Sequence, residues 1–131
     1  IGRIMSKEES INHWFEAAER DSLTADDMYK LGHYSWSLFL WHLVIEKIIK
    51  CLIVKKGKEV LLVHDLVRLA SIAELSLTEE QKLILREITT FNIEARYDDY
   101  KEQFYKKATR EYAAIWRGNS KEMYKWIKEQ L

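Results

Sequence analysis

YSWSLFLWHLVIEKIIKCLIV, residues 34–54, is apolar nearly all round. The polar exceptions Ser35, His42, Glu46 and Lys50 fall mostly on one stripe when the stretch is read as a helix. A helix with apolar residues on almost every side is buried centrally and packed from several directions. In a domain this small, a second subunit can cover part of that surface. The spacing predicts a helix from near His33 to about Lys56, ended by Lys55-Lys56-Gly57-Lys58.

The flanking sequence reads the same way. Ser6-Lys7-Glu8-Glu9 is a capping box, and Ile11, Trp14, Phe15, Ala18, Ser22, Ala25 and Tyr29 recur at helical period, so a first helix covers about 6 to 30. Gly32 suits the left-handed residue past its end. A short helix is predicted over about 64 to 74, with Leu66, Leu69, Ala70 and Ala73 inward. Thr78-Glu79-Glu80-Gln81 opens a fourth helix lined by Ile84, Ile88, Phe91 and Ala95 and ending near Arg96. A last helix spans about 102 to 129, with Tyr105, Ala108, Tyr112, Ile115, Met123 and Ile127 in period and Gly118-Asn119-Ser120 as its weak point. Short connections favour antiparallel neighbours. The fold class is all-α, an up-and-down antiparallel bundle of four long helices plus one short helix, forming a single domain over 6–131. Residues 1–5 read as a disordered start or a remnant of cloning.

Composition agrees. In 131 residues there is no proline and only four glycines, too little turn punctuation for a β-rich fold. The 21 basic and 21 acidic residues cancel, which removes the large positive field that is the simplest basis for nucleic-acid binding. No apolar run approaches the roughly 20 residues that span a bilayer, and no signal peptide is visible, so a soluble, cytoplasmic protein without membrane contact is expected. Cys51 has no partner for an internal disulfide and reads as a small buried hydrophobe. The tryptophans Trp14, Trp36 and Trp41 lie on or beside apolar faces and read as core or interface.

Three anchors then stand in order: Gly32-His33-Tyr34 leading to Glu46-Lys47, then His64-Asp65-Leu66, then Glu94-Ala95-Arg96-Tyr97. Over about residues 10 to 130 the chain resembles the HEPN domain family (higher eukaryotes and prokaryotes nucleotide-binding). The resemblance implies a bundle of four main helices and a homodimer. It also implies a minimal nucleotidyltransferase as a possible partner, in two-gene systems of toxin–antitoxin type. Some members are metal-independent ribonucleases; others are described as the substrate-binding partner of the nucleotidyltransferase.

The ribonuclease branch uses an arginine, about four to six intervening residues and then a histidine, a group able to act as acid or base near neutral pH. The arginine stabilises charge on the phosphorane formed when the ribose 2′-hydroxyl attacks. Here Arg96 is followed by Tyr97-Asp98-Asp99-Tyr100-Lys101-Glu102, and no histidine follows it anywhere. A tyrosine with a pKa of about 10 is a poor base at neutral pH. Arg96 and His64 are therefore only weak catalytic candidates, and the enzyme reading leans to no.

Ligand binding is the broader expectation, through Arg96, Tyr97, Asp98, Tyr100, Glu46, His42 and His64. Arg96 suits a phosphate or a carboxylate (Glu94, Asp98 or Asp99), and Tyr97 and Tyr100 suit base stacking or packing. Asp65 reads as a helix cap, while His64 beside it suits a proton carrier, a phosphate donor or a plain turn residue. Glu46 precedes Lys50 in the order favourable for an ion pair, and a polar stripe facing a cleft near Arg96 is the site version of that face. His42 with Glu46 lacks a third metal ligand, so no metal or other cofactor is expected. Three functions remain open: a nucleotide- or RNA-binding or nucleotidyltransferase-docking module, a metal-independent RNA endonuclease, and a structural dimer without a ligand.

Overall fold

A computed structural model describes residues 4–131. Among them lie six α-helices and no strand: α1 (Lys7–Lys30), α2 (Tyr34–Lys55), α3 (Leu66–Ile72), α4 (Glu79–Thr89), α5 (Asp98–Lys107) and α6 (Arg110–Glu129). A single 3-10 turn, Ile93–Ala95, separates α4 from α5. Residues 1–3 of the expected irregular start lie outside the described residues.

Both capping boxes form. The Ser6 hydroxyl accepts from the Glu9 N–H at 3.1 Å, and the Glu9 carboxylate accepts from the Ser6 N–H at 3.3 Å. Thr78 and Gln81 repeat the exchange at 3.1 and 2.9 Å. Gly32 takes φ +82°, where a side chain is strained, and the His33 N–H reaches back to the Met28 carbonyl at 2.8 Å. The chain thereby reverses in three residues.

Contacts along the resulting hairpin run in opposite directions. Cys51 meets Ile11, Lys47 meets Asp21 at 2.5 Å, and the Ser37 hydroxyl donates to the Ala25 carbonyl at 2.7 Å. α6 returns antiparallel to α1: Arg117 pairs with Asp26 at 2.8 Å, and nearer its end Tyr124 and Lys128 bind Glu19. Burial, reinforced by the Glu19 carboxylate, pushes the Tyr124 phenol far above its ordinary pKa, so it stays a donor.

The central position of α2 follows its sequence. Ile45, Ile48, Ile49, Leu52 and Ile53 are sealed between α1, α6 and α3. Leu66, Leu69, Ala70 and Ala73 close the core from α3, as their spacing predicts. Cys51 is buried, and burial raises its thiol pKa.

Two boundaries differ from the sequence reading. α4 stops at Thr89, well before Arg96. Thr89 and Thr90 turn their hydroxyls onto the Leu85 and Glu87 carbonyls at 2.8 and 2.6 Å, a local competition with the backbone ladder. The chain then folds Phe91, Asn92 and Ile93 inward.

The last helix is two helices, broken at Ala108-Thr109 rather than at Gly118-Asn119-Ser120. Thr109 caps α6 by accepting from the Tyr112 N–H at 3.2 Å. The break re-phases the pattern, so Phe104 and Ala113 are both buried while Tyr105 and Ile115 are exposed. Around Phe91 gather Phe104, Tyr112 and Trp116, with ring centroids 5.6 to 6.1 Å away. The helix runs on through Gly118 because Met123, Tyr124 and Ile127 beyond it are buried.

Candidate functional site

The predicted site residues divide into two groups. The first is the stripe on α2. His42, Glu46 and Lys50 are 0%, 5% and 5% exposed, so the stripe lies in the interior and does not face a cleft. Glu46 is its centre. One carboxylate oxygen accepts from Lys50 Nζ at 2.9 Å; the other meets His64 Nδ1 at 2.9 Å and lies 3.8 Å from His42 Nε2. His42 Nε2 is also 3.3 Å from the His64 carbonyl oxygen. Lys50 lies over the Trp14 ring, 5.3 Å from its centroid.

Burial alone would raise the Glu46 pKa, but the hydrogen bonds from His64 and Lys50 outweigh it and hold the carboxyl below its ordinary value. Burial drives the His42 pKa down, against the attraction of Glu46, so the imidazole is held neutral. The result is a linked cluster with one exposed member, in which the buried His42 Nδ1 has no partner among the described residues. His64 precedes the Asp65 cap of α3, and its ring is half in solvent.

The second group is Glu94 to Tyr100, which links α4 to α5 rather than closing α4. Arg96 follows the 3-10 turn, and Tyr97 is the residue before α5. Among the described residues, Arg96 pairs with no carboxylate; the expected pairing with Glu94, Asp98 or Asp99 is absent. Its guanidinium instead lies over the Tyr100 ring, 4.8 Å from the centroid. Tyr100 is fixed in turn by its hydroxyl, which donates to the Thr90 carbonyl at 2.8 Å. Tyr97 is 88% exposed. Asp98 and Asp99 occupy the first turn of α5, where carboxylates suit the helix dipole.

No hydrogen bond or ion pair joins the two groups among the described residues. Sequence reading found the α2 stripe by its spacing but missed its link to His64, 18 residues away. It also missed the Arg96–Tyr100 stack, whose four-residue spacing is that of a helical pair although Arg96 is outside the helix.

The profile of the HEPN domain matches residues 11–130. In fold the chain is similar to the crystal structure of TT1696 from Thermus thermophilus. That likeness covers 92% of this chain and 98% of the other at 20% identity, with a TM-score of 0.79. No curated protein matches the chain. Among the described residues no helix is long and apolar enough to cross a membrane.

Proposed function

We propose, from the premise that this chain belongs to the HEPN domain family, that it is a homodimeric module holding a nucleotide or a single-stranded RNA segment at Arg96, in a toxin–antitoxin-like system with a nucleotidyltransferase as its partner. The observation that carries this reading is the state of Arg96: an exposed guanidinium, free of carboxylate partners among the described residues and lying over a ring that is itself anchored. Such a group is ordered for a planar, two-pronged contact with phosphate. Tyr97 beside it offers a free ring face for a base.

The surrounding charge narrows the ligand. Glu94, Asp98 and Asp99 flank one guanidinium, a setting that disfavours a long polyanion and favours a single phosphate. The carboxylates are then acceptors for ribose hydroxyls or base amino groups. The homodimer in this reading is supported by the apolar face of α2, where Phe39 and Leu40 line a shallow hollow with Met28. Fluorescence anisotropy with a labelled single-stranded RNA, competed by nucleotides, tests the assignment. Binding by the wild type that is lost in Arg96→Ala is the expected result; equal binding by both would remove Arg96 from the site.

A second reading, the metal-independent RNA endonuclease, has one observation in its favour. His64 is half in solvent and held at Nδ1 by a buried, ionised carboxylate, the arrangement that orients an acid–base histidine. RNA cleavage that persists in chelator and is lost in both His64→Ala and Arg96→Ala is the outcome this reading requires.

A further inference from the structure

A second cleft, which does not include Arg96, lies between the start of α2 and α5. It consists of two adjoining hollows of about 410 and 440 Å³ that share Ser35, Trp36 and Tyr105 in their walls. These volumes are in the range of small-molecule sites.

The two halves have opposite chemistry. One is built on the N-terminus of α2, a helix of 22 residues. Its first hydrogen bond runs from the Ser37 N–H to the His33 carbonyl at 2.9 Å, so the N–H groups of Tyr34, Ser35 and Trp36 have no partner among the described residues. No side chain caps this end, and no carboxylate stands in its first turn. His33, Lys106 and Thr109 line this half, which has no acidic residue in its wall. Free N–H groups and the helix dipole favour an anion there.

Ser35 is the independent sign of a ligand. It is 7% exposed, yet its hydroxyl has no hydrogen-bond partner among the described residues, and the residue lines both hollows. A buried polar group left open to a cleft is satisfied by what enters the cleft. The other half carries Glu94, Asp98 and Glu102, none in an ion pair among the described residues, with Lys101 beside them. Trp36 and Tyr105, both exposed rings, stand where the halves meet.

We infer that this cleft binds a phosphorylated nucleoside. The phosphate sits at the α2 N–H groups with Lys106 and the Ser35 hydroxyl. The base lies against Trp36 and Tyr105, and Glu102 accepts from its amino group or from ribose hydroxyls. A free nucleotide and the phosphorylated end of an RNA share this chemistry. The site stands apart from the Arg96 corner, with only Glu94 and Asp98 common to both surroundings.

Isothermal titration of the full chain with AMP, adenosine and a short RNA with or without a 5′-phosphate tests the inference. His33→Asp places a cap and a negative charge at the helix end. It should hold or raise the melting temperature while weakening AMP binding by about tenfold or more. Lys106→Glu, on the surface, should weaken AMP in the same sense, and adenosine should bind at least about tenfold less tightly than AMP. A 5′-phosphorylated RNA binding more tightly than AMP would assign the site to an RNA end, and the reverse to a free nucleotide. AMP binding unchanged in His33→Asp, or lost only in Arg96→Ala, would overturn the cleft and leave the Arg96 reading standing. No binding of AMP or RNA by the wild type would overturn both.

Discussion

The interior of α2 and the corner at residues 93–100 use the same kinds of residue to opposite ends. In the interior, Glu46, Lys50, His42 and His64 are arranged so that the buried lysine and carboxylate answer each other. At the corner, Arg96 stands beside Glu94, Asp98 and Asp99 and pairs with none of them among the described residues. A buried charge must be paired or it is lost to the fold; an exposed one is free to wait for a ligand. Charge clusters alone therefore do not mark the site. The state of their hydrogen bonds does.

The largest expected effect breaks the interior half. Glu46→Ala leaves Lys50 buried without a counter-ion, and unfolding in urea should show a loss of about 3–5 kcal/mol. Glu46→Leu combined with Lys50→Met should recover most of that loss, because the uncompensated charge is gone. If the single variant is as stable as wild type, the interior cluster is not holding the fold.

The pH dependence sharpens the same contrast. His42 and Glu46 both have depressed pKa values in the fold. The unfolded chain therefore takes up protons first, and stability falls as pH falls. The His42 part is complete above its ordinary value of about 6.5 and is lost progressively below it. The Glu46 part is complete above its ordinary 4.5 and is lost as pH falls through the lower folded value. Melting temperature measured from pH 8 to 5 should decline, and His42→Leu should flatten that decline.

Tyr100→Phe removes the bond to the Thr90 carbonyl, for a loss of about 0.5–1.5 kcal/mol in chemical denaturation. It also frees the ring beneath Arg96, so ligand affinity should fall with it. Gly118→Ala is smaller and of opposite sign. A Cβ at that position meets nothing within 4 Å, and the helical backbone gains about 0.5–1 kcal/mol.

The parts of the fold governed by local rules were legible in the sequence. Apolar spacing placed α1, α2 and α3, capping boxes placed the starts of α1 and α4, and Gly32 placed the first reversal. The end of α4 was not legible, because Thr89 and Thr90 act through bonds to carbonyls that either a helix or a turn would offer. The break before Thr109 was hidden by apolar residues that keep helical period across it, although Thr109 with Glu111 two residues on is a usable cap signal. At the site, spacing found His42, Glu46 and Lys50, but nothing local joins them to His64. It placed Arg96 near carboxylates without showing that it would ignore them for Tyr100. Ser35 passed as one more polar break in an apolar run, since its missing partner is a property of the folded chain.

The central claim is that the Arg96 corner is built for a ligand and not for the fold. It is tested most directly by measuring stability and binding on one Arg96→Ala sample, by urea denaturation and by anisotropy with labelled single-stranded RNA. The account predicts a change in stability within about 0.5 kcal/mol, as for surface positions, together with at least about a tenfold loss of affinity. A marked loss of stability with unchanged binding would make Arg96 a structural clamp and contradict the claim.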